Sequence, residues 1–136
     1  MKQISKNFTL EELVDSIIAT NLKIDNTPSN DIVENLTRLA ENMLQPVRDL
    51  WKSPIFVSSG YRSPKLNTAV GGSDNSQHLT GEAVDISVGN PAENKKLFDL
   101  IVNSNIPFDQ LVDEKNYQWI HISYSKTKNR KQILHL

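Results

Sequence analysis

The chain has 136 residues, 38% of them hydrophobic and 23% charged, and a formal net charge of −1. That length suits one domain with a sizeable core, and the composition is that of a soluble globular protein rather than a disordered one. The near-zero charge gives no footing for nucleic-acid binding, and the absence of cysteine excludes disulfides and thiolate metal sites.

Any metal must therefore be held by His, Asp or Glu, a donor set that points to catalysis more than to a structural zinc knot. No apolar run is long enough to span a bilayer, and the N-terminal "MKQISKNFTLEEL" has no apolar signal core. The expectation is a chain that is cytoplasmic as synthesised, monomeric and not inserted in a membrane. Any target outside the cytoplasm would be met after release.

Thr9 opens "TLEE" with Glu12 three residues on, a capping-box pattern that predicts a short helix through about residue 19. "NLKIDNTPSN" is a turn-rich connector. From about Ser29, Ile32, Leu36, Leu39, Met43, Val47 and Leu50 recur at three- and four-residue steps, which predicts the longest helix. Pro46 predicts a kink or junction near Gln45. "PIFVSSGYRSP" reads as a strand running into a loop that breaks at Gly60 and Pro64, with the long small-residue loop "NTAVGGSDNSQ" after it. A strand is expected at 83–88 and a helix at 91–104, with Pro91 in its first turn. Two further strands, "FDQLVD" and "QWIHISY", are joined by "EKNY". The basic tail "KTKNRK" reads as a solvated end, and His135 as structural or exposed.

Strand alternation isolates a candidate site. In 83–88, Val84, Ile86 and Val88 take one face, and Ala83, Asp85 and Ser87 the other. In 119–124, Ile120 and Ile122 oppose Trp119, His121 and Ser123. Asp85 and His121 thus both turn away from the apolar faces of their strands. His78 lies just before the turn at Gly81 and can fold back over them. Two imidazoles and a carboxylate suit zinc and leave a fourth position for water, whose pKa the metal would lower.

"SQHLTGEAVD" resembles the Ser-x-His-x-x-Gly-x-Ala-x-Asp signature of the zinc D-alanyl-D-alanine carboxypeptidase and dipeptidase family. That family includes phage endolysins that cut L-alanyl-D-glutamate bonds. "SSGYRSPKLN" and "WIHIS" resemble its other blocks, and "NFTLEEL", "IDNTPS" and "LQPVRDLW" resemble the N-terminal part of a small single-domain branch. The resemblance covers nearly the whole chain. It implies an α+β fold of hedgehog/DD-peptidase type, a small antiparallel sheet with helices on one face and a zinc cleft on the other. It implies Zn²⁺ on His78, Asp85 and His121, and a peptidoglycan stem peptide as substrate. Arg62 would hold a substrate carboxylate or polarise the scissile carbonyl, and Ser76 would bond the substrate. Gly81 and Ala83 would leave room beside the metal.

One position departs from the pattern. Better-known members carry an acid three residues before the last zinc histidine, where this chain has Gln118. Glu114 is the expected general base, with Asp113 as the alternative. The resemblance leaves open which stem-peptide bond is cut. It also leaves room for a non-catalytic zinc-containing peptidoglycan-binding module and for a cytoplasmic D,D-dipeptidase.

Overall fold

The computed structural model describes residues 2–136. The expected capping box forms, with Glu12 N–H on Thr9 Oγ1 at 3.3 Å and Thr9 N–H on Glu12 Oε1 at 3.2 Å. It opens only a 3-10 turn, Glu11–Leu13, and not a helix to residue 19. The Leu13 carbonyl accepts from Tyr61 N–H at 2.8 Å, which diverts it from the helical ladder. A separate helix, α1 (Ile17–Leu22), then starts on its own cap, Ser16 Oγ.

The long amphipathic segment runs from the Ser29 cap as α2 (Asn30–Leu39), a π-helical stretch (Ala40–Leu44) and α3 (Gln45–Trp51). Pro46 explains the middle piece. Proline has no N–H to donate and its ring crowds the preceding turn. The chain absorbs this by widening one turn, so that Gln45 N–H bonds Ala40 O, and it continues without a break. Leu36, Leu39, Met43 and Val47 are fully buried, while Ile32 and Leu50 sit at the margins of the stripe.

Five strands form one sheet in the order β1 (Phe56–Ser59), β2 (Ala83–Ser87), β4 (Trp119–Ser123), β3 (Gln110–Glu114), β5 (Gln132–His135). All pairs are antiparallel except β3–β5, which is parallel. The basic run "KTKNRK" is largely exposed, as a solvated end would be, but it is not the end of the ordered chain: the segment "QILH" that follows closes the sheet's edge. Helix α5 (Pro91–Val102) is capped by Asn90 and packs Leu97, Phe98 and Ile101 into the core with Val84, Ile86, Leu111, Ile120 and Ile122. The other face of the sheet carries α4 (Pro64–Ala69) and a 3-10 turn, Gln77–Thr80. The α4 helix was expected as loop. Ser63 caps it and Pro64 is its first residue, so the proline read as a breaker is a helix start.

Asn94, fully buried on α5, ties the working end of the sheet together. Its Oδ1 accepts from Val88 N–H at 2.8 Å, and its Nδ2 donates to the Tyr117 and Gln118 carbonyls at 2.9 and 3.2 Å. Those carbonyls belong to the β3–β4 turn, where Lys115, Asn116 and Tyr117 all take positive φ. Left-handed residues that are not glycine persist only where their surroundings hold them. Asn94→Ala is expected to cost about 1–3 kcal/mol by leaving buried partners unsatisfied. Urea denaturation measures it, and an unchanged midpoint would remove Asn94 from this role.

Candidate metal centre and its cleft

Register alone brings two donors together. Asp85 on β2 is the direct cross-strand partner of His121 on β4, and His121 Nδ1 lies 3.0 Å from Asp85 Oδ1. The third donor comes from outside the sheet. His78, in the 3-10 turn after the Ser76 cap, places Nε2 3.3 Å from the same oxygen. The three donor atoms lie within 4.8 Å of one another.

The chemistry of this set calls for a cation. His78 Nδ1 is 2.7 Å from the Gly60 carbonyl, which can only accept, so Nδ1 carries the proton. In the neutral ring Nε2 then presents a lone pair to a carboxylate oxygen. That arrangement is unfavourable unless a metal ion or a proton lies between them. A carbonyl fixing the far nitrogen of a ligand histidine is the usual support of a metal site. The 3.0 and 3.3 Å separations compare with about 3.3 Å between donors around a tetrahedral ion with bonds of about 2.0–2.1 Å. His78, Asp85 and His121 could thus hold a metal through Nε2, Oδ1 and Nδ1. Burial pushes the Asp85 carboxyl upward, but the hydrogen bonds and charges of His121 and His78 outweigh it and hold it well below the ordinary carboxylate range.

Asp85 Oδ2 faces Arg62 Nη2 at 3.4 Å. Arg62 is further fixed by Nε on Ser59 Oγ and Nη1 on Asn67 Oδ1, both at 3.2 Å, so each guanidinium nitrogen has a protein partner. Burial draws its pKa down against the Asp85 charge, and it stays a cation. Asn67 is buried and also donates to Ser73 O at 2.9 Å, which ties Arg62 to the small-residue loop. Gly72 is required there, since a Cβ would lie 2.1 Å from Asn67 Oδ1. Gly60 is required too, because its Cβ would come within 2.2 Å of the Leu13 carbonyl. Asn67 and Gly60 both stand inside the block "SSGYRSPKLN", yet no spacing rule marks them as supports.

Four further expectations meet the structure here. Ser76 lines the cleft, but its Oγ accepts from His78 N–H at 3.2 Å. Glu114 also lines it: its partner across the hairpin is Trp119, which makes it a diagonal neighbour of His121 on the same face. Asp113 does not line it. It pairs with Ile120 on the core face and is held by His135 Nδ1, the polar companion that sequence did not reveal for that histidine. Gly81 does not make room beside the metal centre: it takes φ +72° where a Cβ would meet Ile32 and Leu36 of α2. Ala83 is buried opposite Ser123, two residues before Asp85 on the same strand face.

With this geometry in place, comparison with known families is decisive. The family model of peptidase M15 matches residues 6–123. The chain belongs to the M15 peptidase family. A search of curated proteins found no match. Its α+β architecture, with helices against one sheet face and the donor cluster on the other, agrees with that membership. Among the described residues, no helix is long and apolar enough to cross a membrane.

The tail contributes to the cleft as well. Arg130 lines it, held by the buried Asp109 through Nε–Oδ1 at 2.7 Å and Nη2–Oδ2 at 3.0 Å. The Arg130 hydrogen bond leads the causes that hold the Asp109 carboxyl below its ordinary value, with burial opposing it. A depressed carboxylate pKa stabilises the fold above the unfolded value of about 3.9 and ceases to as pH falls through the folded value. Asp109→Asn should therefore flatten the loss of stability below about pH 4. Denaturation midpoints from pH 7 to 3 check this, and parallel curves for the two proteins would refute it.

Proposed function

We propose that the protein is a zinc-dependent peptidase that hydrolyses an amide bond in the peptide stem of bacterial peptidoglycan. The cut is of the D-alanyl-D-alanine carboxypeptidase or the L-alanyl-D-glutamate endopeptidase type. The observation that carries the reading is the His78–Asp85–His121 donor set in a cleft that also holds an unspent carboxylate, Glu114. Family membership supports the peptidase chemistry, and the resemblance of "SQHLTGEAVD" to the cell-wall signature supports the substrate.

His78, Asp85 and His121 are assigned as the metal ligands. Zinc, when bound, supplies Lewis acidity at the scissile carbonyl and acidifies a water. Glu114 is assigned as the general base: its carboxylate takes a proton from the attacking water and passes it to the leaving amine. The Arg62 guanidinium, immobilised beside Asp85, meets the charge that develops on the carbonyl oxygen, and its fixed position means little reorganisation at that moment. The Ser76 hydroxyl uses a lone pair on His78 N–H and keeps its proton for a substrate acceptor.

Gln118 is the one feature that favours the binding-module alternative, because the usual acid is missing there. It is exposed in the hairpin turn, and Glu114 stands at the other end of that turn. Incubation with purified peptidoglycan, with new termini identified by mass spectrometry, separates the two. Release of stem-peptide termini is expected; zinc-loaded protein that leaves every stem intact would sink the peptidase reading. Glu114→Gln should lower turnover by about 100-fold or more while zinc stays bound, and full activity in that variant would strip Glu114 of its role. His121→Ala should no longer bind zinc stoichiometrically by metal analysis; retained stoichiometric zinc would contradict the ligand set.

A further inference from the structure

The peptidase reading leaves Arg130 unused, and Arg130 lies beyond the residues that the family model matches. It nevertheless lines the same cleft as the three metal donors and Glu114. Its position is built. Asp109 accepts from Arg130 Nε, Nη2 and backbone N–H and from Gln77 Nε2 at 3.0 Å, so one carboxylate clamps the tail to the turn that carries His78. Backbone bonds complete the clamp, with Lys131 N–H on Phe108 O and Gln132 N–H on Asp109 O as β5 begins.

The clamp uses only one edge of the guanidinium. A planar guanidinium offers two bidentate edges, the Nε/Nη2 side and the Nη1/Nη2 end. Asp109 occupies the side edge, and no hydrogen bond among the described residues involves Nη1. Asp109 is 5% exposed, whereas the Arg130 side chain is 47% exposed. The pair therefore turns its positive end outward, with the anion buried behind it. Arg62 differs in both respects: its side chain is 16% exposed and all three nitrogens are engaged. Of the two cleft arginines, Arg130 is the one equipped to accept an incoming carboxylate in fork geometry.

We propose that Arg130 is a specificity residue that recognises a free α-carboxylate on the substrate residue supplying the leaving amine, with Asp109 as its positioning residue. This rests on the peptidase reading and deepens it. The two candidate bonds share that feature. In D-alanyl-D-alanine the leaving residue carries the C-terminal carboxylate. In the L-alanyl-D-glutamate linkage the glutamate is joined onward through its side chain, and its α-carboxylate is free. One guanidinium serves either source, and Arg62 is left to act at the carbonyl.

The test is binding, read separately from turnover. Two probe pairs are titrated calorimetrically into the zinc-loaded Glu114→Gln protein: N-acetyl-L-lysyl-D-alanyl-D-alanine with its C-terminal amide, and L-alanyl-γ-D-glutamyl-L-lysine with its α-carboxamide. One acid is expected to bind about tenfold or more tightly than its amide, and the pair that shows the difference identifies the source of the carboxylate. Adding Arg130→Gln should collapse that ratio toward one, and Arg130→Lys should restore part of it. In the background that retains Glu114, Arg130→Gln should raise KM for the acid more than it lowers kcat. Equal affinity of acid and amide in both pairs overturns the proposal without any variant. A ratio that survives in folded, zinc-replete Arg130→Gln overturns it as well. Absence of cleavage by the unaltered protein, with acid preference intact, would instead overturn the peptidase reading alone.

Discussion

A buried carboxylate on the second strand sets the terms for this molecule. Asp85 is 7% exposed, and it keeps its charge because one of its oxygens meets two imidazoles through a shared proton or metal ion and the other meets Arg62. An isolated anion at that depth would be neutralised or expelled. Most of the surrounding architecture can be read as the means of keeping those three partners in place. The β2–β4 register delivers His121, the Gly60 carbonyl orients His78, and Ser59 with Asn67 fixes Arg62. Gly60 and Gly72 serve the same end, since each lets backbone and side chain approach more closely than a Cβ would allow.

Alternation along β3 divides labour between two neighbouring acids. Asp113 and Glu114 differ by one residue, and a strand turns such neighbours to opposite faces. Asp113 is taken by His135 of the edge strand on the helix-covered side, while Glu114 stands over the cleft. The hairpin turn that separates Glu114 from Trp119 is held in its left-handed geometry by Asn94 from α5. A helix on the apolar side of the sheet thus governs where a carboxylate sits on the polar side. The C-terminal strand acts similarly from the edge. Its parallel pairing with β3 sets Arg130 beside Asp109 at the sheet's edge, and one residue of the basic tail becomes part of the cleft wall.

Much of this was legible beforehand. Period-two alternation in "AVDIS" and "WIHIS" assigned Asp85 and His121 to the polar face, and the absence of cysteine narrowed the donors to imidazole and carboxylate. The three- and four-step recurrence of apolar residues located α2 and α3, and Pro46 marked their junction, because proline's missing donor is a local fact. Local rules failed where a distant group intervened. The capping box at Thr9 formed as written, but Tyr61 N–H claimed the Leu13 carbonyl and ended the helix after one turn. "QILH" is too short to announce a strand by periodicity, and it became one because β3 offered it an open edge.

The sequence by itself determined which atoms could bind a metal and on which side of their strands they lie, because residue chemistry and strand periodicity are properties of the chain's immediate neighbourhood. Tertiary structure alone decided the tautomer of His78, the capture of Asp113 by His135 and the presence of Arg130 in the cleft. Each depends on a partner at least 18 residues away: Gly60 for His78, His135 for Asp113 and Asp109 for Arg130. A hydrogen bond between such pairs exists only once the intervening chain has folded, and no periodicity within either segment encodes it.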